Sequence, residues 1–247
     1  MALGDGKPPE GMIRPTDLSD SDDAERRAWR ERADQRYAKR RARHVVEAQS
    51  HVFDMAAQLQ KQKHLFDFST FPKKDVERYG SHELGRHALL GRRLLEAGVR
   101  FVKVTSYGWD THGDNFNGHL SLMGKFDQAF SAVIEDLSER KMLDDVLVIA
   151  MSEFGRTPRI NGHLGRDHWP EAWSLAMAGA GLKKGVVAGK TNAQGTWVEG
   201  EEHDIGHLFH TWFQAIGINP KETNYDNAGQ PLPIAHDECS IVKEVLA

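Results

Sequence analysis

One short segment, 108-GWDTHGDNF-116, combines the two side-chain types that most often bind transition metals, a carboxylate and an imidazole. Asp110 and His112 are two residues apart and lie among glycines, directly after a run that favours a β-strand. Asp114 adds a second carboxylate. The same sequence is also typical of an Asx turn with a surface histidine. A metal site therefore requires ligands from elsewhere in the chain.

Two later segments carry suitable ligands. The first, 152-SEFGRTPRING-162, places Glu153 two residues past an apolar run, and the second, 163-HLGRDHWPE-171, contains Asp167 and His168. Loops at the carboxyl ends of parallel strands meet at one edge of the sheet, where ligands bind. Mixed carboxylates and imidazoles suit zinc, manganese or iron better than calcium. We therefore expect a divalent-metal site whose ligands come from among the carboxylates and imidazoles of these three loops, namely Asp110, His112, Asp114, Glu153, Asp167 and His168.

Such a metal can lower the pKa of a bound water or stabilise a transferred oxyanion. Arg156 and Arg166 are the candidate catalytic residues, because arginine binds anions in a bidentate way. Each expected ligand has a structural alternative. Glu153 could be a buried carboxylate that is satisfied by Arg156 or by backbone groups, and His168 could be a packed loop residue.

Two other groups could carry chemistry. In 203-HDIGHLFH-210, the three histidines His203, His207 and His210 fall on one helical face, a spacing that can hold zinc. Histidines on a helix surface are also common without a metal. Ser152 could be proposed as a nucleophile, but no histidine lies beside it in the sequence.

The elements that position these residues alternate along the chain. Helices are predicted over about 23–63, 81–98 and 203–217, and the strongest amphipathic helix over 118–143. Strands are predicted over 99–106 and 146–151, with a third apolar run over 173–179. Strand, helix, strand forms a βαβ unit, so the first two strands are expected to be parallel neighbours. The predicted fold class is α/β, with a largely parallel sheet flanked by helices and an N-terminal helical arm over 1–63 before a domain over 64–247.

Composition narrows the classes of function. The chain has 247 residues and a formal net charge of -4, which gives no global indication of nucleic-acid binding. Cys239 is the only cysteine, so an internal disulfide framework is excluded. No apolar run reaches the roughly 20 residues of a membrane span, and the first residues lack the apolar core of a signal peptide.

The charge of one local segment differs from that of the chain as a whole. The stretch 25-ERRAWRERADQRYAKRRARH-44 is strongly basic. It is typical of a solvated helix face, and contact with a polyanion is the alternative. Because a long helix with a modest apolar face often needs a partner, the arm over 1–63 could also join two copies of the chain in a homo-oligomer.

Five segments together resemble the family called domain of unknown function 1501, within the alkaline-phosphatase and sulfatase superfamily. They are 77-ERYG-80, 89-LLGRRLLEAGVRFVKV-104, GWDTHGDNF, 152-SEFGRTPRI-160 and 165-GRDHWP-170, and the resemblance covers roughly residues 75–235. The resemblance implies an alkaline-phosphatase-like fold and a metal-dependent hydrolase of sulfate or phosphate esters, acting on an anionic ester such as a sulfated or phosphorylated carbohydrate. It also implies export of full-length members.

The resemblance further implies roles for individual residues. Asp110, His112 and His168 resemble the ligands of one metal, and Glu153 stands where many members have an Asp-His pair for a second metal. Arg156 and Asp167 would support the ligands. Superfamily members carry the nucleophile and a further aspartate ligand in a preceding half, which no segment before residue 98 resembles. The chain is therefore expected to correspond to the C-terminal portion of the catalytic domain. The alternative is a non-catalytic metal- or carbohydrate-binding remnant or a partner subunit.

Overall fold

The computed structural model describes residues 6, 8, 13, 15–39, 43–227 and 230–247. The chain divides into two compact units. The first contains the described residues up to Glu77 together with Arg93–Val102, and the second contains Arg78–Arg92 and Lys103–Ala247. The division at residue 63, which the sequence suggests, stays a prediction.

Six α-helices lie within the described ranges: α1 (Asp20–Ala38), α2 (Arg43–Lys61), α3 (Lys73–Tyr79), α4 (Glu83–Glu96), α5 (Asn115–Glu139) and α6 (Ile205–Ala215). Short 3-10 helices occupy Lys63–Phe66, Phe68–Thr70 and Lys243–Val245. Ser19 caps α1 as its position suggests, because its hydroxyl accepts the backbone N–H of Asp22, whose carboxylate accepts the Ser19 N–H in return.

The strands within the described ranges form three two-stranded antiparallel sheets. Strand β1 (Leu147–Ala150) pairs with β4 (Ala176–Gly179), and β2 (Gly155–Arg156) pairs with β3 (His168–Trp169). Strand β5 (Asn224–Asn227) pairs with β6 (Gln230–Pro233). The apolar runs at 146–151 and 173–179 therefore do form strands, and they pair with each other.

The predicted strand over 99–106 is wrong, because this segment has no regular secondary structure. A run of β-favouring residues becomes a strand only when its backbone finds a hydrogen-bonding neighbour. Phe101 is 83% exposed, so the side chains do not compensate by burial. The expected parallel pairing of 99–106 with 146–151 is therefore also wrong, and β1 instead pairs antiparallel with β4. No parallel pair occurs in the described ranges, and the alkaline-phosphatase-like fold stays a prediction.

The helices of the second unit supply most of its buried apolar side chains. Leu89 and Leu90 of α4 and Leu137 of α5 are almost completely buried. The first half of α5 differs from the prediction, because Leu120 is 79% exposed and Met123 is 47% exposed, although their spacing places them on the apolar stripe.

None of the helices in the described ranges has the length and apolar character needed to cross a bilayer. The homo-oligomer through the N-terminal helices stays a prediction.

Candidate metal centre

Three of the four expected metal ligands converge on one point. The ligand atoms of Asp110, His112 and His168 all lie within 4.8 Å of one another. Asp110 Oδ1 is 2.9 Å from His112 Nδ1 and 3.0 Å from His168 Nε2. All three side chains are exposed, so the cluster is open to solutes.

A ladder of backbone hydrogen bonds holds the two ligand-bearing loops together. The loop that precedes α5 and the loop that precedes β3 are joined by three such bonds, namely Arg166 N–H to Thr111 O at 3.1 Å, Asp114 N–H to His163 O at 3.0 Å and Asn115 N–H to Leu164 O at 3.0 Å. His112 therefore lies opposite the segment that leads into His168, although 56 residues separate them in the sequence. The convergence depends on the backbone and not on the ligands alone.

Asn161 and Gly165 position the cluster, and the sequence did not single them out. The amide nitrogen of Asn161 donates to the carbonyl oxygen of His112 at 3.0 Å, and its amide oxygen accepts the backbone N–H groups of His163 and Gly165. At Gly165, an added Cβ would lie 1.9 Å from the His112 carbonyl oxygen. The close approach of the loops therefore requires glycine there. The Asn-Gly dipeptide at 161–162 signals only a turn.

The β2–β3 sheet brings a cation to the same point. Arg156 in β2 lies directly across from His168 in β3. Its guanidinium donates to Asp110 Oδ1 at 2.8 Å and to the Arg166 carbonyl oxygen at 3.2 Å. The expected catalytic residue Arg156 is thus beside the cluster, where it contacts Asp110.

Phe154 is a further contact of the cluster that sequence reasoning missed. Its ring stacks on the His168 imidazole, with centroids 4.0 Å apart and planes 29° apart. The His168 ring also lies 4.8 Å from the His112 ring, centroid to centroid. Stacking of this kind limits rotation of the imidazole and fixes the direction of its nitrogens.

The electrostatics centre on Asp110. Hydrogen bonds from His168 and then Arg156 lower the pKa of its carboxyl to about 2. One oxygen, Oδ1, has three nitrogen neighbours at 2.8 to 3.0 Å, contributed by Arg156, His112 and His168. A carboxylate oxygen has two lone pairs, so three linear N–H donors cannot all be accommodated well. The two imidazole nitrogens, unlike the Arg156 guanidinium, carry lone pairs and are placed to share a cation with this carboxylate.

The other expected site residues lie outside the cluster. Glu153 is exposed and makes no hydrogen bond or ion pair with any described residue. The Arg166 guanidinium donates to the backbone oxygens of Thr157 at 2.6 Å and Pro158 at 2.7 Å, so it braces a loop rather than facing the ligands. Asp114 and Asp167 accept hydrogen bonds from Asn117 and Asn161, respectively.

The other candidate groups from the sequence are the histidines of segment 203–210 and the hydroxyl of Ser152, and their contacts differ from those that the sequence suggests. His210 is buried and its Nε2 lies 2.7 Å from the carbonyl oxygen of His236, away from the expected histidine triad. His207 instead groups with Asp204 and Cys239 at the start of α6. Asp204 is the N-cap of that helix and His207 completes the capping box, which accounts for their contact. Ser152 donates to the Phe154 carbonyl oxygen at 2.7 Å.

The donor set of the cluster fits a transition metal. One carboxylate and two imidazoles form a common ligand set for zinc and related ions, and three protein ligands leave a position open for a substrate. Tetrahedral zinc with bonds of about 2.0–2.1 Å holds its ligand atoms about 3.3 Å apart. The oxygen–nitrogen distances of 2.9 and 3.0 Å need to widen by a few tenths of an ångström, and the two imidazole nitrogens, which lie within 4.8 Å of each other, need to come to about the same 3.3 Å separation.

Comparison with known proteins gives a family. The sequence model of the family described as "Protein of unknown function (DUF1501)" matches residues 2–246. The chain belongs to this family. No curated protein and no solved structure matches it. The DUF1501 match also extends over the N-terminal helices, beyond the segments that carry the sequence resemblance.

Proposed function

We propose that Asp110, His112 and His168 bind a divalent transition metal, and that this DUF1501 protein acts in the hydrolysis of sulfate or phosphate esters. The convergence of the three ligand atoms within 4.8 Å supports metal binding. The hydrolase activity and the membership of the alkaline-phosphatase and sulfatase superfamily rest on the sequence resemblance.

Each residue of the proposed site would have its own role. A bound zinc, manganese or iron ion would supply Lewis-acid stabilisation of negative charge on an ester oxygen. Asp110 and the two imidazoles would hold the ion, and Phe154 would orient His168. Arg156 carries a positive charge beside these ligands, and this charge favours an anionic ester at the open position. Glu153 makes no contact with the cluster, which favours one metal rather than two.

The nucleophile is a separate part of the proposal. Thr111 donates its hydroxyl to Asn115 at 2.7 Å, and Ser152 and Thr157 donate theirs to backbone oxygens. None of these three hydroxyls is paired with the imidazole of His112 or His168 in the described contacts. We propose that the nucleophile comes from outside these loops.

A non-catalytic role is the second candidate, and one observation favours it. Arg166, expected to bind an anion, uses its guanidinium for the backbone of its own loop. A metal held by Asp110, His112 and His168 would then mainly cross-link two loops. This candidate predicts metal binding without ester hydrolysis.

Metal content is the first measurement. The purified full chain would be equilibrated with zinc, manganese or iron(II), dialysed and subjected to elemental analysis. We expect stoichiometric metal in the wild type and its loss in His112→Ala and His168→Ala. His163→Ala is the matched control, because His163 is an exposed histidine of the same loop that lies outside the cluster. Unchanged metal content in the two cluster variants would contradict the site.

Hydrolysis is measured separately with the metal-loaded chain, with 4-nitrophenyl sulfate and 4-nitrophenyl phosphate as substrates. Metal-dependent release of nitrophenol that Arg156→Gln lowers by about 10-fold or more would support the hydrolase, since a lost charge-assisted contact in a transition state has effects of this order. Stoichiometric metal without hydrolysis of either ester would favour the non-catalytic candidate.

A further inference from the structure

Positive charge is concentrated in one part of the chain. Between residues 25 and 44 there are nine Lys and Arg residues and three Asp and Glu residues, in a chain whose formal net charge is -4. Eight of the nine are arginines. The overall charge therefore hides a basic segment on an otherwise acidic protein, and Asp110 and its ligand partners lie outside it.

Helix α1 separates its charges into an inner and an outer face. The inner face is half-buried and consists of Asp23, Arg27, Arg30 and Asp34. On this face, Arg27 donates a hydrogen bond to Gln60 of α2, and the guanidinium of Arg30 lies over the ring of Phe53, also of α2. Ion pairs with Asp23 and Asp34 neutralise the two inner arginines.

The outer face of the C-terminal half keeps its charge. Arg32, Arg36 and Lys39 are exposed and form no ion pair with a described residue. The three residues are spaced four and three positions apart, so they lie one above the other on one side of the helix and form a short basic row. The acidic residues Asp22 and Glu25 lie nearer the N-terminus, and the exposed Glu31 lies about 100° around the helix from Arg32, so the row itself contains no carboxylate in the C-terminal half.

One large aromatic ring accompanies this row. Trp29 is 62% exposed, whereas Tyr37, which is 50% exposed, lies about 100° or more around the helix from each cation of the row. The Arg32 guanidinium lies over the Trp29 ring, 4.5 Å from its centroid, so a cation and an aromatic face form one surface. No residue of α1 is buried, so neither ring contributes to a core.

We propose that the outer face of α1, formed by Trp29, Arg32 and Arg36 together with the C-cap residue Lys39, binds single-stranded nucleic acid. Arginine matches the geometry of phosphate better than lysine does, and an exposed ring beside a basic row stacks on unpaired bases. An anionic membrane is less suited, because an interfacial helix needs a broad apolar face and this one offers a single ring among cations. A second copy would place like charges together. This inference is independent of the proposed hydrolase.

The test uses the full chain and a fluorescein-labelled oligouridylate of 20 nucleotides, with fluorescence anisotropy at several salt concentrations. We expect binding whose affinity falls steeply with salt. Arg32→Gln with Arg36→Gln should reduce the slope of log K against log salt by about 1.4, because each phosphate contact of a single strand contributes about 0.7. Lys183→Gln with Lys184→Gln is the control, since it removes the same charge from exposed positions elsewhere.

Trp29 distinguishes nucleic acid from other polyanions. Trp29→Ala should weaken oligouridylate binding by about 5- to 100-fold, whereas Trp29→Phe should bind almost as the wild type does, because stacking needs only an aromatic face. Heparin binding should not respond to Trp29→Ala. Circular dichroism would confirm unchanged helix content in all variants. The proposal is overturned by no oligouridylate binding, by equal effects of the arginine and lysine pairs, by indifference to Trp29→Ala, or by preference for phosphatidylserine vesicles.

Discussion

At the scale of single residues, the buried carboxylate of Asp136 contacts three side chains that also belong to the second unit, those of Tyr79, Arg92 and Arg140. It accepts hydrogen bonds from the Tyr79 hydroxyl at 2.9 Å and from Arg140 at 2.8 Å. The Nε atom of Arg92 lies 2.9 Å from Asp136 Oδ2 and forms an ion pair with it, although the Nε–H bond does not point at that oxygen. Burial raises the pKa of Asp136, but the bonds from Arg140 and Tyr79 and the charge of Arg92 outweigh it and lower the pKa.

Removing this charge should destabilise the fold. In Asp136→Asn, the guanidinium of Arg92, which is 4% exposed as a residue, loses a buried counter-ion. We expect a loss of about 3–5 kcal/mol in the free energy of unfolding at pH 7, as for other broken buried pairs. Urea unfolding would measure it, with Asp127→Asn on the exposed side of α5 as the control. Equal stability of the two variants would contradict the assignment.

The same residue sets a pH dependence. Because the pKa of Asp136 is lower in the folded chain than the value of about 3.9 expected when unfolded, its contribution is complete above about pH 4. The contribution is lost as the pH falls through the folded value. The difference between wild type and Asp136→Asn should therefore narrow below pH 4.

At the scale of secondary-structure elements, the sequence predicts what is local. Periodic apolar residues predicted α4, α5 and α6 to within a few residues, and the apolar runs at 146–151 and 173–179 contain β1 and β4. Strand pairing is not local, because it depends on which segments meet, and the segment over 99–106 has no partner strand. Leu120 shows the same limit, since periodicity indicates one face of a helix but not whether another element covers it.

The residues of the candidate site also divide into those that the sequence predicts and those that it does not. Residue type and spacing identified Asp110, His112 and His168, because transition metals restrict their ligands to a few side chains. Glu153 satisfied the same rule and lies outside the cluster. Asn161 acts through backbone groups, and hydrogen bonds of this kind leave no distinctive pattern in a single sequence.

Gly165 gives a test of how the two ligand loops are joined. In Gly165→Ala, the Cβ would lie 1.9 Å from the His112 carbonyl oxygen, so the loops must separate. We expect metal affinity to fall by about 10-fold or more, as it does when groups that orient metal ligands are lost, while helix content is kept. Gly162→Ala is the matched control, because no atom lies within 4 Å of its added Cβ. Isothermal titration with zinc would compare them, and similar affinities would refute the close-packing argument.

At the scale of the whole molecule, the two compact units carry different probes. Trp29 belongs to the first unit, whereas the other tryptophans, Trp109, Trp169, Trp173, Trp197 and Trp212, belong to the second unit together with the metal cluster. In a Trp29→Phe background, tryptophan fluorescence therefore reports the unfolding of the second unit alone. This separation allows ligand binding at the cluster to be read as stability of the unit that contains it.

Metal binding should raise the midpoint of that transition. A ligand that binds only the folded state at 100 times its Kd adds about 2.7 kcal/mol, which corresponds to a Tm rise of about 5–10 °C for a unit of this size. We expect zinc to produce this rise in the Trp29→Phe chain, and EDTA to reverse it. His112→Ala with His168→Ala should abolish the rise, whereas His163→Ala should retain it. A rise that persists in the double variant would place the stabilising ion elsewhere, and no rise in the parent chain would mean that the three side chains hold no zinc in the folded state.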